Sequence, residues 1–197
     1  MIQNIRPQKK RNSVFLLMVI SFSTLLASPS KADIFKINLE PIIGYEQVQV
    51  VLPTPHSTSR LIYGASATFG VLLLSGELQY THGTSSESYP TLGLTQTDVG
   101  DRARGGIRSG FRLGPLLTLF VRGGVEAYQE RIDQTLNGVT TTTIIPITIS
   151  PYVGAGARAS LGGKLYATAD VVATIVNIND LTQNRYTASA GVGVQLP

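Results

Sequence analysis

The segments 165–176, LYATADVVATIV, and 186–196, YTASAGVGVQL, place an apolar residue at every second position. Side chains two residues apart lie on the same face of a β-strand. Each segment therefore has one continuous apolar face, and an opposite face that carries Thr, Ser, Gly and Asp. Beyond Asp33 no stretch shows the spacing of an amphipathic helix. The period predicts an all-β chain whose strands each turn one face toward an apolar environment.

The same alternation, followed outward along the chain, predicts eight strands. Most have the nine to eleven residues, roughly, that a tilted strand needs to cross a membrane, or slightly more. Alternation of this kind with an even strand number favours a closed, antiparallel, up-and-down transmembrane β-barrel. The predicted strands lie near residues 36–48, 60–70, 73–82, 103–112, 116–130, 139–161, 165–176 and 185–196.

The connections between these strands alternate between tight and long. The tight ones are residues 71–72, 113–115 and 162–164; the longer polar ones are 51–59, 83–102, the tip around Asn137-Gly138, and 177–184. Asn-Gly between two β-rich segments predicts a type I′ hairpin, so the third long connection is expected to be an extended ribbon. Both ends of the barrel domain should then lie on the side of the tight turns. Small outer-membrane barrels have this asymmetry.

Residues 1–32 have the pattern of a cleavable signal peptide, with a basic start, an apolar run from Val14 to Ala27, and small residues at Ser30 and Ala32. Cleavage after Ala32 would leave residues 33–197 as one domain. The chain has 16 basic and 12 acidic residues, but five of the basic ones precede position 33. The remainder has a formal net charge of −1, so the basic composition predicts no nucleic-acid partner.

The alternating strands, the asymmetric connections and the signal-peptide pattern resemble the eight-stranded OmpA and OmpX kind of outer-membrane barrel over essentially all of residues 33–197. The resemblance implies location in the bacterial outer membrane, contact with its lipid and lipopolysaccharide, and assembly by the barrel insertion machinery. The C-terminus departs from the family pattern. Such barrels usually end on an aromatic residue, whereas this chain ends Val194-Gln195-Leu196-Pro197.

The charged residues predict which face points inward. A lipid-facing Arg would cost about 2–4 kcal/mol at the middle of the membrane, and the polar faces are also rich in glycine, which suits a crowded interior. We therefore expect an ionic network inside the barrel, in which Asp170 lies within reach of Arg158. Aromatic residues near the strand ends should face outward, at Tyr45, Tyr63, Phe69, Tyr80, Phe111 and Tyr186. The predicted network contains Glu40, Glu77, Arg104, Arg108, Arg112, Arg122, Glu126, Arg158 and Asp170.

The sequence offers little for catalysis, metal binding or a cofactor, and none of the three is predicted. Its two histidines, His56 and His82, have no metal-ligand spacing, and there is no cysteine. The favoured function is a structural or surface-interaction role, with a possible extracellular partner at the loops 82–102 and 130–145. The alternatives are a narrow gated channel, a lipid A-modifying enzyme that uses His82 with Ser85, Ser86 and Glu87, and a soluble lipocalin-like carrier.

Overall fold

The computed structural model describes residues 35–50, 56–71 and 73–196, and the predicted signal peptide, residues 1–32, lies outside them. These residues form a closed antiparallel barrel of eight strands in chain order. Two short 3-10 helices, Pro90–Leu92 and Leu181–Gln183, are the only helical turns in this part of the chain. The strands are β1 Lys36–Val50, β2 His56–Val71, β3 Leu74–Tyr89, β4 Leu94–Leu113, β5 Leu117–Leu136, β6 Val139–Gly162, β7 Leu165–Thr174 and β8 Arg185–Leu196.

The barrel closes between its first and last strands. β1 pairs with β8 from Ile37 opposite Leu196 to Gln47 opposite Tyr186. All eight neighbouring pairs are antiparallel, so the predicted up-and-down barrel is confirmed. Closure gives the lower, membrane-sized part of every strand two hydrogen-bonded neighbours, which a strand in lipid requires.

The outer and inner faces of the barrel wall have the polarity that the sequence predicts. Outward side chains are apolar and exposed, among them Ile43 at 56%, Val121 at 60% and Val171 at 60% of their full surface. Inward side chains are polar and buried, and Glu77 is 1% exposed. A soluble carrier would have the opposite arrangement, with an apolar cavity and a polar exterior.

Aromatic side chains mark the two edges of this outward apolar belt. Tyr45, Tyr63, Tyr80 and Tyr186 are exposed toward the upper edge, away from the tight turns, and Phe111 is exposed toward the lower edge. Amphipathic rings are favoured where hydrocarbon meets water. Phe69, also near the lower edge, is half-buried.

Four strands continue well above the belt, which corrects one prediction. Residues 83–102 were expected to form a long loop, but β3 runs to Tyr89, β4 begins at Leu94, and only residues 90–93 connect them. β5 likewise runs to Leu136 rather than to residue 130. β3 and β4 stay paired there because Ser86 lies opposite Thr97 and Ser88 lies opposite Thr95. Such Ser–Thr pairs stabilise neighbouring strands on a water-exposed face.

The upper sheet is the name used here for this extension, residues 83–89, 94–101, 129–136 and 139–149 of β3 to β6. Its second hairpin has the predicted turn, since Asn137 and Gly138 have φ of 50° and 80°. A bulge lies at the base of the sheet, where Gln129 of β5 is opposed by two residues of β6, Pro146 and Ile147, so that β6 bends there. No helix among the described residues has the length and apolarity to cross a membrane.

Candidate functional site

The upper third of the lumen contains two buried glutamates that bridge several arginines. Glu46 accepts a hydrogen bond from Arg60 Nε at 2.9 Å and also contacts Arg102. Glu126, fully buried, accepts from Arg104 Nε and Arg185 Nη2, both at 2.8 Å, and its Oε2 lies 3.2 Å from Arg102 Nε. Each carboxylate thus offsets more than one cation, as burial of charge requires.

The middle of the lumen is organised around Glu77 and Arg122. Glu77 accepts from Arg122 Nε at 2.8 Å, from Arg108 Nε at 3.1 Å and from the Tyr152 hydroxyl at 2.5 Å. Arg122 also donates to Asp170 at 2.5 Å and to Gln79. A single planar guanidinium therefore links β3, β5 and β7 across the barrel, which an ammonium could not do with the same geometry.

The lower third of the lumen has fewer charges. Thr168 donates to the buried Glu40, and Arg158 Nη1 lies 3.4 Å from Asn38 Oδ1, while Asn38 donates to Thr68 at 2.9 Å. Glu40 lies close enough to Arg158 for electrostatic attraction, although no contact within 4 Å joins them. In this layer the charged groups therefore hydrogen-bond to neutral side chains instead of forming ion pairs.

Four buried or nearly buried aromatic rings stack with the same arginines. Tyr128 lies under the guanidinium of Arg185, 4.0 Å from ring centre to guanidinium carbon, and near those of Arg60 and Arg102. Below it, Arg104 and Arg122 flank the ring of Tyr152, and the two lower contacts are Arg108 with Phe120 at 4.1 Å and Arg158 with Tyr166 at 4.2 Å. Cations over desolvated rings are worth about 2 kcal/mol.

Glycines on the inner wall make room for these rings. A Cβ at Gly106 would lie 2.5 Å from the Tyr152 hydroxyl, one at Gly156 would lie 2.5 Å from Phe120, and one at Gly193 would overlap Tyr166. The glycine-rich inner face is thus explained by close approach of aromatic rings and of neighbouring backbone.

The predicted network residues are not all placed together. Glu40, Glu77, Arg104, Arg108, Arg122 and Glu126 are buried, and Arg158 and Asp170 are half-buried. Arg112 is exposed, because it lies one residue before the end of β4, below the layer that Arg108 and Phe120 close. Asp170 lies diagonally across from Arg158, as expected, because Gly156 is opposite Asp170 and Arg158 is opposite Thr168. Its ion pair is nevertheless with Arg122, which reaches across the lumen, and Ser189 donates to it as well.

Several members of the network were missed by the sequence analysis, namely Glu46, Arg60, Arg102, Glu130 and Arg185. Glu46 lies inside a predicted strand and has the inward parity of Glu40, so parity could have identified it. The other four lie at or beyond the predicted strand ends, where parity cannot be assigned until the true strand bounds are known.

Above the lumen, a polar cluster joins the top of β2 to the top of β3. The His56 ring lies 2.9 Å from the Glu87 carboxylate, and the Tyr89 hydroxyl donates to Glu87 at 2.5 Å. The Tyr89 hydrogen bond, with help from His56 and Thr58, holds the pKa of Glu87 below its ordinary value, against a smaller effect of burial. The same bond raises the pKa of Tyr89 to about 12.

The residues proposed for an enzyme do not form one site. His82 faces outward and its Nδ1 lies 2.9 Å from Asp101, which also accepts from Tyr80 at 2.6 Å. Ser85 and Glu87 have the opposite parity on β3 and therefore point to the other face. Among the described residues no group of three or more acidic or histidine side chains could hold a metal ion.

Comparison with solved structures supports this fold. Neisserial surface protein A is 14% identical with a TM-score of 0.52, and 81% of this chain covers 96% of it. The attachment invasion locus protein Ail of Yersinia pestis, in complex with the heparin analogue sucrose octasulfate, is 12% identical with a TM-score of 0.55, and 81% of this chain covers 99% of it. No protein-family model and no curated protein sequence matches the chain.

Proposed function

We propose, from the fold that this chain shares with the small eight-stranded outer-membrane barrels, that it is a surface-interaction protein of the bacterial outer membrane. In this proposal the apolar belt contacts outer-membrane lipid and lipopolysaccharide, and the barrel insertion machinery assembles it there. The lumen is a packed polar core that stabilises the wall. Binding takes place at the upper sheet.

The observation that carries the proposal is the continuation of four paired strands above the belt. From Gly83 to Tyr89 alone, β3 extends seven residues, roughly 23 Å at 3.3 Å per residue. A hydrogen-bonded sheet presents a fixed surface at low entropic cost, unlike a mobile loop. One structural neighbour is itself an attachment invasion protein that holds a heparin analogue, which is consistent with surface binding by this fold.

The test shortens both hairpins in register. One change removes residues 86–89 and 94–97, which leaves Ser85 opposite Asp98 across residues 90–93; the other removes 133–136 and 139–142, which leaves Ile132 opposite Thr143 across Asn137-Gly138. Removal of four residues from each strand preserves the inward and outward parity. The barrel should still insert and show heat-modifiable gel mobility, because its lumen and belt are unchanged.

The readout is retention of expressing cells on surfaces coated with heparin and on surfaces coated with lipopolysaccharide. Loss of retention in the shortened protein, with insertion intact, is the expected result. Equal retention of the full-length and shortened proteins on both surfaces, or absence of the full-length protein from the outer-membrane fraction, would overturn the proposal.

A further inference from the structure

β6 is far longer than the strand next to it, so much of one edge is open. β6 has 24 residues and β7 only 10. Their ladder begins at Tyr152 opposite Thr174, and one further bond runs from Ile175 N to Pro151 O at 2.9 Å. Above that point β6 has only β5 as a partner among the described strands, from Ser150 up to Val139. The open edge is the name used here for residues 139–149.

The open edge has no charge, the commonest of the features by which proteins block such edges. Its sequence is VTTTTIIPITI, and no charged residue occurs from Val139 until Arg158. Exposed edges are usually protected by lysine, other charges, proline or a bulge, and here the protection is confined to Pro146 and the bulge that it shares with Ile147. The side chains are also exposed, with Val139 at 69% and Ile144 at 60%. The edge is therefore a neutral, β-branched template for another strand.

We propose that the open edge pairs, antiparallel, with the open edge of a second copy of this chain held in an opposing membrane. The inference rests on the proposed outer-membrane location. Its consequence is homotypic adhesion between two cell or vesicle surfaces, in which two upper sheets join into one continuous eight-stranded sheet.

The symmetry of antiparallel pairing places the second copy in an opposing membrane. Two identical antiparallel strands in one sheet are related by a two-fold axis perpendicular to the sheet. In a barrel wall that perpendicular is radial, so it lies in the plane of the membrane. Rotation by half a turn about such an axis inverts the membrane normal. Two copies in the same membrane would be related by an axis along the normal, and their tilted strands would cross instead of pairing.

Charge favours a second copy as the occupant. A neutral strand offers no counter-charge to a charged peptide, whereas two neutral strands meet with no like-charge repulsion. Full overlap of residues 139–149 places Ile144, their midpoint, opposite Ile144 of the second copy. The other edge of the upper sheet, residues 85–89 of β3, is shorter, carries Glu87 and is bridged by His56. This edge of β3 is therefore less suited than the open edge to pairing with another strand.

The test uses the full-length protein in unilamellar lipid vesicles, with clustering measured by light scattering. Vesicles with the unaltered chain should cluster. Ile144→Glu lies beside Arg131 of β5, so it should leave the fold intact, yet two facing glutamates should lower clustering about tenfold. Thr135→Glu, on the inner strand β5 of the same hairpin, is the matched control and should cluster normally.

A charge-complementation experiment distinguishes self-pairing from every other occupant. Vesicles with Ile144→Glu and vesicles with Ile144→Lys should each stay dispersed alone and cluster when mixed. Since the chain has no cysteine, Ile144→Cys should also form a disulfide-linked dimer between clustered vesicles on mild oxidation.

Dispersed vesicles that carry inserted, heat-modifiable protein would overturn the inference and leave the proposed function standing. Clustering of Ile144→Glu alone, or failure of the mixed variants to cluster, would also overturn it. Protein that does not insert at all would overturn both the inference and the proposed function.

Discussion

Arg122 is the residue on which the middle of the lumen depends, because it contacts Glu77, Asp170 and Gln79 from one guanidinium. Arg122→Ala should destabilise the barrel by about 3–5 kcal/mol, since two carboxylates lose a buried partner. The free energy of unfolding by urea in detergent micelles measures this loss.

The matched control for that change is Arg131→Ala, which removes an arginine whose ion pair with Asp133 is largely exposed. Exposed pairs contribute little because water screens them. The Arg122 network would be shown to be unimportant if the two variants lost similar stability.

Glu87 provides a pH-dependent contact at the top of β3. Its folded pKa lies below the ordinary value because the Tyr89 hydroxyl, then His56 and Thr58, favour the carboxylate. A carboxyl with a lowered folded pKa stabilises the fold above its unfolded pKa. This contribution is lost as the pH falls from about 4.5 through the lowered folded value.

Tyr89→Phe should therefore raise the pKa of Glu87 toward its ordinary value, as followed by carbon NMR of the carboxyl in micelles. His56→Ala should raise it less, because the tyrosine bond is the larger effect. An unchanged titration of Glu87 in Tyr89→Phe would contradict this account.

At the scale of the strand, glycine position controls how the wall packs. Gly106 faces inward, where a Cβ would meet the Gly123 carbonyl and the Tyr152 hydroxyl, while a Cβ at Gly105, facing outward, would make an ordinary 3.7 Å contact with Leu78. Gly106→Ala should cost about 1–3 kcal/mol by overpacking. Gly105→Ala should be close to neutral. The free energy of unfolding in micelles compares these adjacent substitutions. Equal losses would show that the glycine is needed for the strand itself and not to leave space for the Tyr152 ring.

The length of each strand was set by tertiary pairing. The segment 83–102 has many Ser, Thr and Gly residues and suggests a loop, yet β3 and β4 pair throughout it except at residues 90–93. Short polar residues neither favour nor oppose a water-exposed strand. The strand pairs already formed lower in the barrel make each further pair less costly to form. The periodicity of the sequence does not show this contribution of neighbouring pairs.

At the scale of the whole molecule, the filled lumen argues against a steady pore. An eight-stranded barrel is just wide enough to be filled by its own side chains. Arg60, Glu77, Arg122 and Glu126 are all buried across its section. Planar-bilayer recordings should therefore show no sustained conductance. The protein with the shortened upper sheet should give the same baseline, since the obstruction lies below it. Long-lived openings of the full-length protein would support the gated-channel alternative.

The sequence by itself determined the barrel, the number of its strands and the orientation of its faces. Strict alternation, as in segment 186–196, leaves one apolar and one polar face, and inward arginines follow from the cost of charge in lipid. These properties are local to each strand, so a one-dimensional pattern contains them. The partners of Asp170, the exposure of Arg112 and the open edge of β6 were decided only by the tertiary structure. They depend on which side chains meet across the lumen and where each neighbouring strand stops, and those distances exist only once the barrel has closed.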